Sequence, residues 1–178
     1  MREPESHVTP EYELWSCEHP DASEDEVVEL LGALVRAEKP KVSVEVGAHI
    51  GVGTEAIGRA LERNGRGHLH SFELDPTRAA EAAARCADLP VTIHEQKDTA
   101  AAADSFGEVD FLFVDGHFTN RQASLDHWMP VLRPNALIAV HDTLKWEQAH
   151  DVVMAFDTTE RIHIVTPRGL TLMRKTGQ

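Results

Sequence analysis

Three glycines, Gly47, Gly51 and Gly53, lie between a β-branched run and a helical pattern in the segment Val44-Glu45-Val46-Gly47-Ala48-His49-Ile50-Gly51-Val52-Gly53-Thr54. A strand that feeds a glycine-rich turn and then a helix opens a βα unit, and repeated βα units build a parallel sheet. Glycine at such a turn lets the backbone bend tightly and approach a ligand closely. The helix that follows presents free N–H groups at its start. The segment therefore predicts both an architecture and a binding loop.

The rest of the chain keeps this alternation. Ser23 and Glu26 have capping-box spacing. They precede an apolar helical face of Val27, Val28, Leu30, Leu31, Leu34 and Val35, which stops at Lys39-Pro40. Strands are predicted at 42–46, 68–73, 91–95, 109–114 and 136–140. The run at 109–114 is apolar almost throughout, as in a central strand covered on both faces. Helices are expected from a Thr54 cap to Asn64-Gly65, after Asp75-Pro76, and at 120–132 and 145–156. Segments 162–165 and 170–174 flank Pro167-Arg168-Gly169 and read as an antiparallel hairpin. The expected fold is α/β: a doubly wound, mostly parallel, seven-stranded sheet with a C-terminal antiparallel hairpin. Residues 23–178 form the domain and residues 1–22 an acidic arm. In that arm Tyr12, Leu14 and Trp15 are apolar enough to pack on the domain or on a partner subunit in a homo-oligomer, a partly ordered tail being the other reading, and the sequence leaves oligomeric state open.

Composition narrows the function. The chain has 178 residues, of which 42% are hydrophobic, enough for one domain with a core. Its formal net charge is −13. Such a surface repels phosphates, and no Lys/Arg stripe offsets it, so a nucleic-acid partner is not expected. No apolar run approaches the ~20 residues of a membrane span, and the N-terminus lacks an apolar signal core. A cytoplasmic location is the expectation. Cys17 and Cys86 have no C-x-x-C neighbour and read as free thiols.

In parallel sheets ligands bind beyond the carboxyl ends of the strands. The glycine loop lies there. Gly51, Gly53 and Ala56 fit the loose G-x-G-x-x-A dinucleotide pattern, but Gly47 makes the turn longer. Glu73 ends the second predicted strand, where a carboxylate accepts ribose hydroxyls. Glu45 sits just before the loop, and a carboxylate there repels a pyrophosphate and favours a cationic ligand.

With V-E-V-G-x-x-x-G-x-G-T followed by S-F-E-L-D-P, the chain resembles the class I S-adenosylmethionine-dependent methyltransferases, whose fold is Rossmann-like. It is similar in particular to the small-molecule O-methyltransferases carrying V-D-G-H, D-x-W and H-D. Here these read Val114-Asp115-Gly116-His117, Asp126-His127-Trp128 and His141-Asp142. The resemblance implies that Glu45, Gly47, Ala48, His49, Gly51, Gly53 and Thr54 hold the methionine part of S-adenosylmethionine. Glu73 and Leu74 would hold the ribose side, and Lys97, Asp98 and Thr99 would border the adenine, with Asp115 also beside the cofactor. Arg133-Pro134-Asn135 stands where the family has a Pro-Gly-Gly turn, and Asn tolerates the left-handed geometry required.

Asp115, His117, His141 and Asp142 end two strands expected to be neighbours. Carboxylates with imidazole bind a divalent metal or set a base beside a hydroxyl. The resemblance implies magnesium on Asp115 and Asp142, here with His141; Thr143 stands where the catechol-type enzymes have an amide ligand and His141 where the sugar-modifying enzymes have another acid, whereas magnesium prefers all-oxygen ligands. The predicted chemistry is O-methylation of a small hydroxylated molecule. His117 is the general base, Asp115 and Asp142 position a metal (Mg2+ or another divalent ion) or the hydroxyl, and Asp126 is a candidate to orient His117. Two other readings stand beside it: a non-catalytic S-adenosylmethionine-binding partner subunit, and an oxygenase on the same fold.

Overall fold

The computed structural model describes residues 14–158 and 160–177. Tyr12 lies outside the described residues; Leu14 is exposed and Trp15 half-buried. Seven strands form one sheet: β1 (Val42–Val46), β2 (His68–Glu73), β3 (Val91–Glu95), β4 (Val109–Val114), β5 (Leu132–His141), β6 (Arg161–Ile164) and β7 (Leu170–Arg174). Their order is β3-β2-β1-β4-β5-β7-β6. The first five are parallel, and β7 is antiparallel to both β5 and β6. The strand order reverses between β1 and β4, so the crevice at their carboxyl ends is where this topology places a ligand.

Helices cover both faces. α1 (Asp25–Glu38) and α2 (Val52–Asn64) pack Val27, Leu31, Val35, Ile57 and Leu61 against Phe111 and Phe113 of β4. On the other face Trp128, Leu125 and Val153 pack on Phe72, Leu112 and Ile138. These come from α5 (Arg121–Trp128) and α6 (Glu147–Ala155). Both faces of β4 are thus covered, and all six of its residues are buried. α3 (Pro76–Arg85) starts at Asp75, whose carboxylate accepts from the Thr77 and Arg78 N–H groups. The short α4 (Ala100–Ala103) is capped by Thr99.

Four local expectations need correction. Ser23 makes no capping box; α1 starts without a side-chain cap, and the Ser23 hydroxyl donates to Asp115 instead. Thr54 is not a cap either, because α2 begins at Val52 after left-handed Gly51, and Thr54 turns its hydroxyl to Glu45. The helix expected at 120–132 stops at Trp128, two residues before Pro130, whose missing N–H ends the α-helical pattern in a 3-10 turn. β5 begins at Leu132, four residues earlier than expected, with a register shift against β4 and left-handed Asn135 inside it.

Candidate functional site

A cleft of about 360 Å3 opens at the carboxyl ends of β1, β2 and β4, a size typical of small-molecule sites. Its wall includes Glu45, Gly47, Ala48, His49, Gly53, Glu73, Leu74, Asp98, Asp115 and His117, together with Asp21, Ala22 and Ser23 from the segment before α1. Lys97 is also in the wall.

The loop after β1 needs its glycines for close approach. Gly47 has φ +93°, and a Cβ there would stand 2.6 Å from the Gly116 backbone nitrogen. Gly51 has φ +86°, and its Cβ would meet the Ala82 Cα at 2.9 Å. The first glycine packs the loop on the turn after β4, and the second packs it on α3. Gly51 supports the loop without lining the cleft.

Glu45 is buried at the base of the loop. Its Oε2 accepts hydrogen bonds from Thr54 Oγ1 and Ser71 Oγ, both at 2.5 Å. No cationic side chain among the described residues pairs with it. Burial pushes its carboxyl up to about 7, against the two hydroxyl donors and helped by the charges of Asp115 and Glu73. An acid in this state beside a cleft is matched by a ligand cation. Glu73 is oriented by its own backbone surroundings: Oε2 accepts from His49 N at 2.8 Å and Oε1 from Asp75 N at 2.9 Å. Asp98 is buried, with His127 Nδ1 at 3.2 Å from its Oδ2. Leu74 is 68% exposed and offers an apolar edge to the cleft. Thr99 caps α4 and stands outside the wall.

His117 is exposed on the cleft wall, and its Nδ1 lies 2.9 Å from Thr119 Oγ1. The same nitrogen accepts the Thr119 backbone N–H at 3.4 Å, which places the proton of the neutral ring on Nε2. Asp126 does not orient His117: it is exposed and accepts from Gln122 Nε2.

The strand-end cluster differs most from expectation. His141 is fully buried between two carboxylates, with Nδ1 3.0 Å from Asp115 Oδ1 and Nε2 2.7 Å from Glu24 Oε2. Burial works against its charge, yet Asp115, Glu24 and Asp142 raise it to about 9. Burial would likewise raise Glu24, but His141 and backbone N–H groups hold it at about 2. The Asp115 carboxyl also resists burial and stays far below the ordinary range, beside His141, Arg121 and Arg168. Asp142 takes Arg168 Nε on Oδ1 at 2.6 Å and Arg168 and Arg121 amino groups on Oδ2 at 3.1 and 3.2 Å. Arg121 reaches Asp115 Oδ1 as well. Three carboxylates thus face two guanidiniums and one imidazolium.

This arrangement bears on the magnesium assignment. Asp115, His141 and Asp142 do offer ligand atoms within 4.8 Å of one another. Both nitrogens of the imidazolium are committed to carboxylates, so it has no lone pair to give a metal. Both Asp142 oxygens already carry guanidinium N–H groups, and Asp115 Oδ2 accepts from Ser23. The donor set does not fit a divalent cation, and neither His141 nor Asp142 lines the cleft. Titration with millimolar Mg2+ is expected to give no saturable heat. A one-to-one isotherm lost in Asp142→Asn would overturn this.

Sequence reasoning missed Glu24, Arg121 and Arg168. The only signal for Arg168 was its place in the tight Pro167-Arg168-Gly169 turn. Nothing local marked the other two.

A profile described as a methyltransferase domain matches residues 44–143. That is more than half of the chain, and the protein belongs to this family, as a class I S-adenosylmethionine-dependent methyltransferase. Several solved structures share the fold. TomG, an O-methyltransferase of Streptomyces achromogenes involved in tomaymycin synthesis and solved with SAM, has a TM-score of 0.73 at 21% identity, over 88% of this chain and 82% of its own. An O-methyltransferase from Bacillus cereus in complex with SAH gives 0.75 at 15% identity, over 89% and 84%. The SAH-bound Podospora anserina methyltransferase PaMTH1 gives 0.75 at 14% identity, over 89% and 83%. No curated protein matches the sequence. No helix among the described residues is long and apolar enough to cross a membrane.

Proposed function

We propose that this protein methylates a hydroxyl group of a small molecule, using S-adenosylmethionine bound in the cleft and His117 as the base. The observation that carries the cofactor reading is Glu45, a buried acid with no cation paired to it among the described residues, set beneath a loop that only glycine can form at Gly47. It would hold the ammonium of the methionine part. Glu73, already oriented by His49 N and Asp75 N, keeps lone pairs for the ribose hydroxyls. Leu74 and Asp98 flank the adenine end. The bound cofactor supplies an activated methyl on a sulfonium. The chain must then align the hydroxyl and take its proton. Asp115 is too strongly held as a carboxylate to accept one, so it serves orientation, and His117 is the imidazole on the wall that takes the proton.

The test is calorimetry with S-adenosylhomocysteine across pH. Cation binding requires ionised Glu45, whose carboxyl stands at about 7 in the free protein. Affinity should therefore rise as pH increases through 7, and be about tenfold weaker at pH 6 than at pH 8. A flat profile removes Glu45 from the site. No binding at either pH sinks the cofactor reading.

A further inference from the structure

We infer that His19, Asp21 and His49 form a binding site for a single borderline transition cation, Zn2+ above all, at the mouth of the cleft, where it clips the segment before α1 to the glycine loop. One ring nitrogen of each imidazole and one Asp21 carboxylate oxygen lie within 4.8 Å of one another. Ligand atoms on a four-coordinate zinc stand roughly 3–3.5 Å apart, given bond lengths of about 2.0–2.2 Å. Closing the set therefore takes about 1 Å of side-chain adjustment by two half-buried residues and one exposed one. Two imidazoles and one carboxylate suit zinc and its neighbours and do not suit magnesium.

Three features prepare these groups. His49 has φ +50°, a left-handed conformation that a side-chain-bearing residue adopts at a cost of about 1–3 kcal/mol. Its backbone N–H is fixed on Glu73, and its imidazole stands 5.0 Å from that of His19, centroid to centroid. The His49 Nδ1 is buried and has no hydrogen-bond partner, which leaves a polar atom in need of one.

His19-Pro20-Asp21 is a short turn in which Pro20 restricts the residue before it. The Asp21 N–H donates to His19 Nδ1 at 3.1 Å, so the neutral ring carries its proton on Nε2, and a cation takes the Nδ1 lone pair in place of that N–H. The turn is anchored on both sides. Glu18 pairs with Arg85 on α3, and Ser23 and Glu24 reach Asp115 and His141. Asp21 and His49 both line the cleft, so a cation joining them restrains its entrance and couples to whatever binds inside.

The experiment uses untagged full-length protein. Co2+ as a spectroscopic substitute, and Zn2+ by competition, are titrated into wild type, His19→Ala and Asp21→Asn. One equivalent should bind wild type with d–d absorption bands, and each variant should bind at least about tenfold more weakly. His19 and Asp21 stand in the turn before α1, and unchanged thermal unfolding without metal shows that the variants are folded. No stoichiometric binding, or binding undiminished in both variants, overturns the site. The clip is read separately: Zn2+ should slow dissociation of S-adenosylhomocysteine about threefold or more in wild type and not in His19→Ala, and an unchanged rate overturns it. This last arm rests on the cleft being the cofactor site. Failure of S-adenosylhomocysteine to bind would show as its own result, with the metal titration unaffected.

Discussion

Arg168→Met should lower the free energy of unfolding by about 3–5 kcal/mol, the effect of leaving a buried carboxylate without its partner. Arg168 holds both oxygens of Asp142 and also donates to the Ala22 carbonyl. Its loss leaves the buried Asp142 with the longer contacts from Arg121 and, at 3.9 Å, from His141 Nδ1. The same change frees Ala22 and its neighbours, which wall the cleft. Urea unfolding of wild type and variant measures the effect. A difference within 1 kcal/mol would mean that Asp142 is solvated or protonated at little expense, contrary to the charge balance described above. Asp142→Asn in the Arg168→Met background provides the control. Removing the stranded charge should recover part of the loss, because the penalty lies in the uncompensated carboxylate.

His117→Ala should reduce turnover by about 10²–10⁴-fold with any acceptor the wild-type protein methylates, the usual contribution of a general base. His117 is exposed and contributes to neither core cluster, so folding should be unaffected. S-adenosylhomocysteine affinity should stay within about threefold, because the cofactor contacts assigned to Glu45 and Glu73 remain in place. Equal turnover in the variant would remove His117 from the chemistry. A parallel fall in cofactor affinity would instead make it a binding residue. His117→Gln keeps a hydrogen-bonding side chain without a basic nitrogen, and it should fail as His117→Ala does.

Local patterns made the sheet readable. The runs 42–46, 68–73, 91–95 and 109–114 coincide with β1 to β4, because strand periodicity and bordering turn residues are properties of neighbouring positions. Gly65 ends α2 and Asp75 starts α3, as their residue types dictate. The cleft's wall is likewise drawn from motifs that stand beside strand ends. The polar network was not readable, since it unites Glu24, Asp115, Arg121, His141, Asp142 and Arg168 from five separate segments. Asp115 and His141-Asp142 looked like ligands because their counter-charges lie elsewhere in the chain. Arg121 opens a helix and Arg168 sits in a hairpin turn, and at such positions a sequence offers no sign that a side chain is buried. Ser23 and Thr54 show the same limit from the other side. Both have capping chemistry at plausible positions, and in both a carboxylate from a strand end takes the hydroxyl.

The contact between the Glu24 carboxylate and the Arg168 backbone spans 144 positions of sequence. On a ribosome the first partner leaves the exit tunnel long before the second has been made. At roughly 5–20 residues per second the interval is about 7–30 s. During it the parallel core of β1 to β4 can assemble, but the turn before α1 has no seat for its acid. Completion of the cleft's entrance is thus deferred to the last hairpin. A nascent chain halted before Arg168 should carry a formed glycine loop beneath an entrance still ajar.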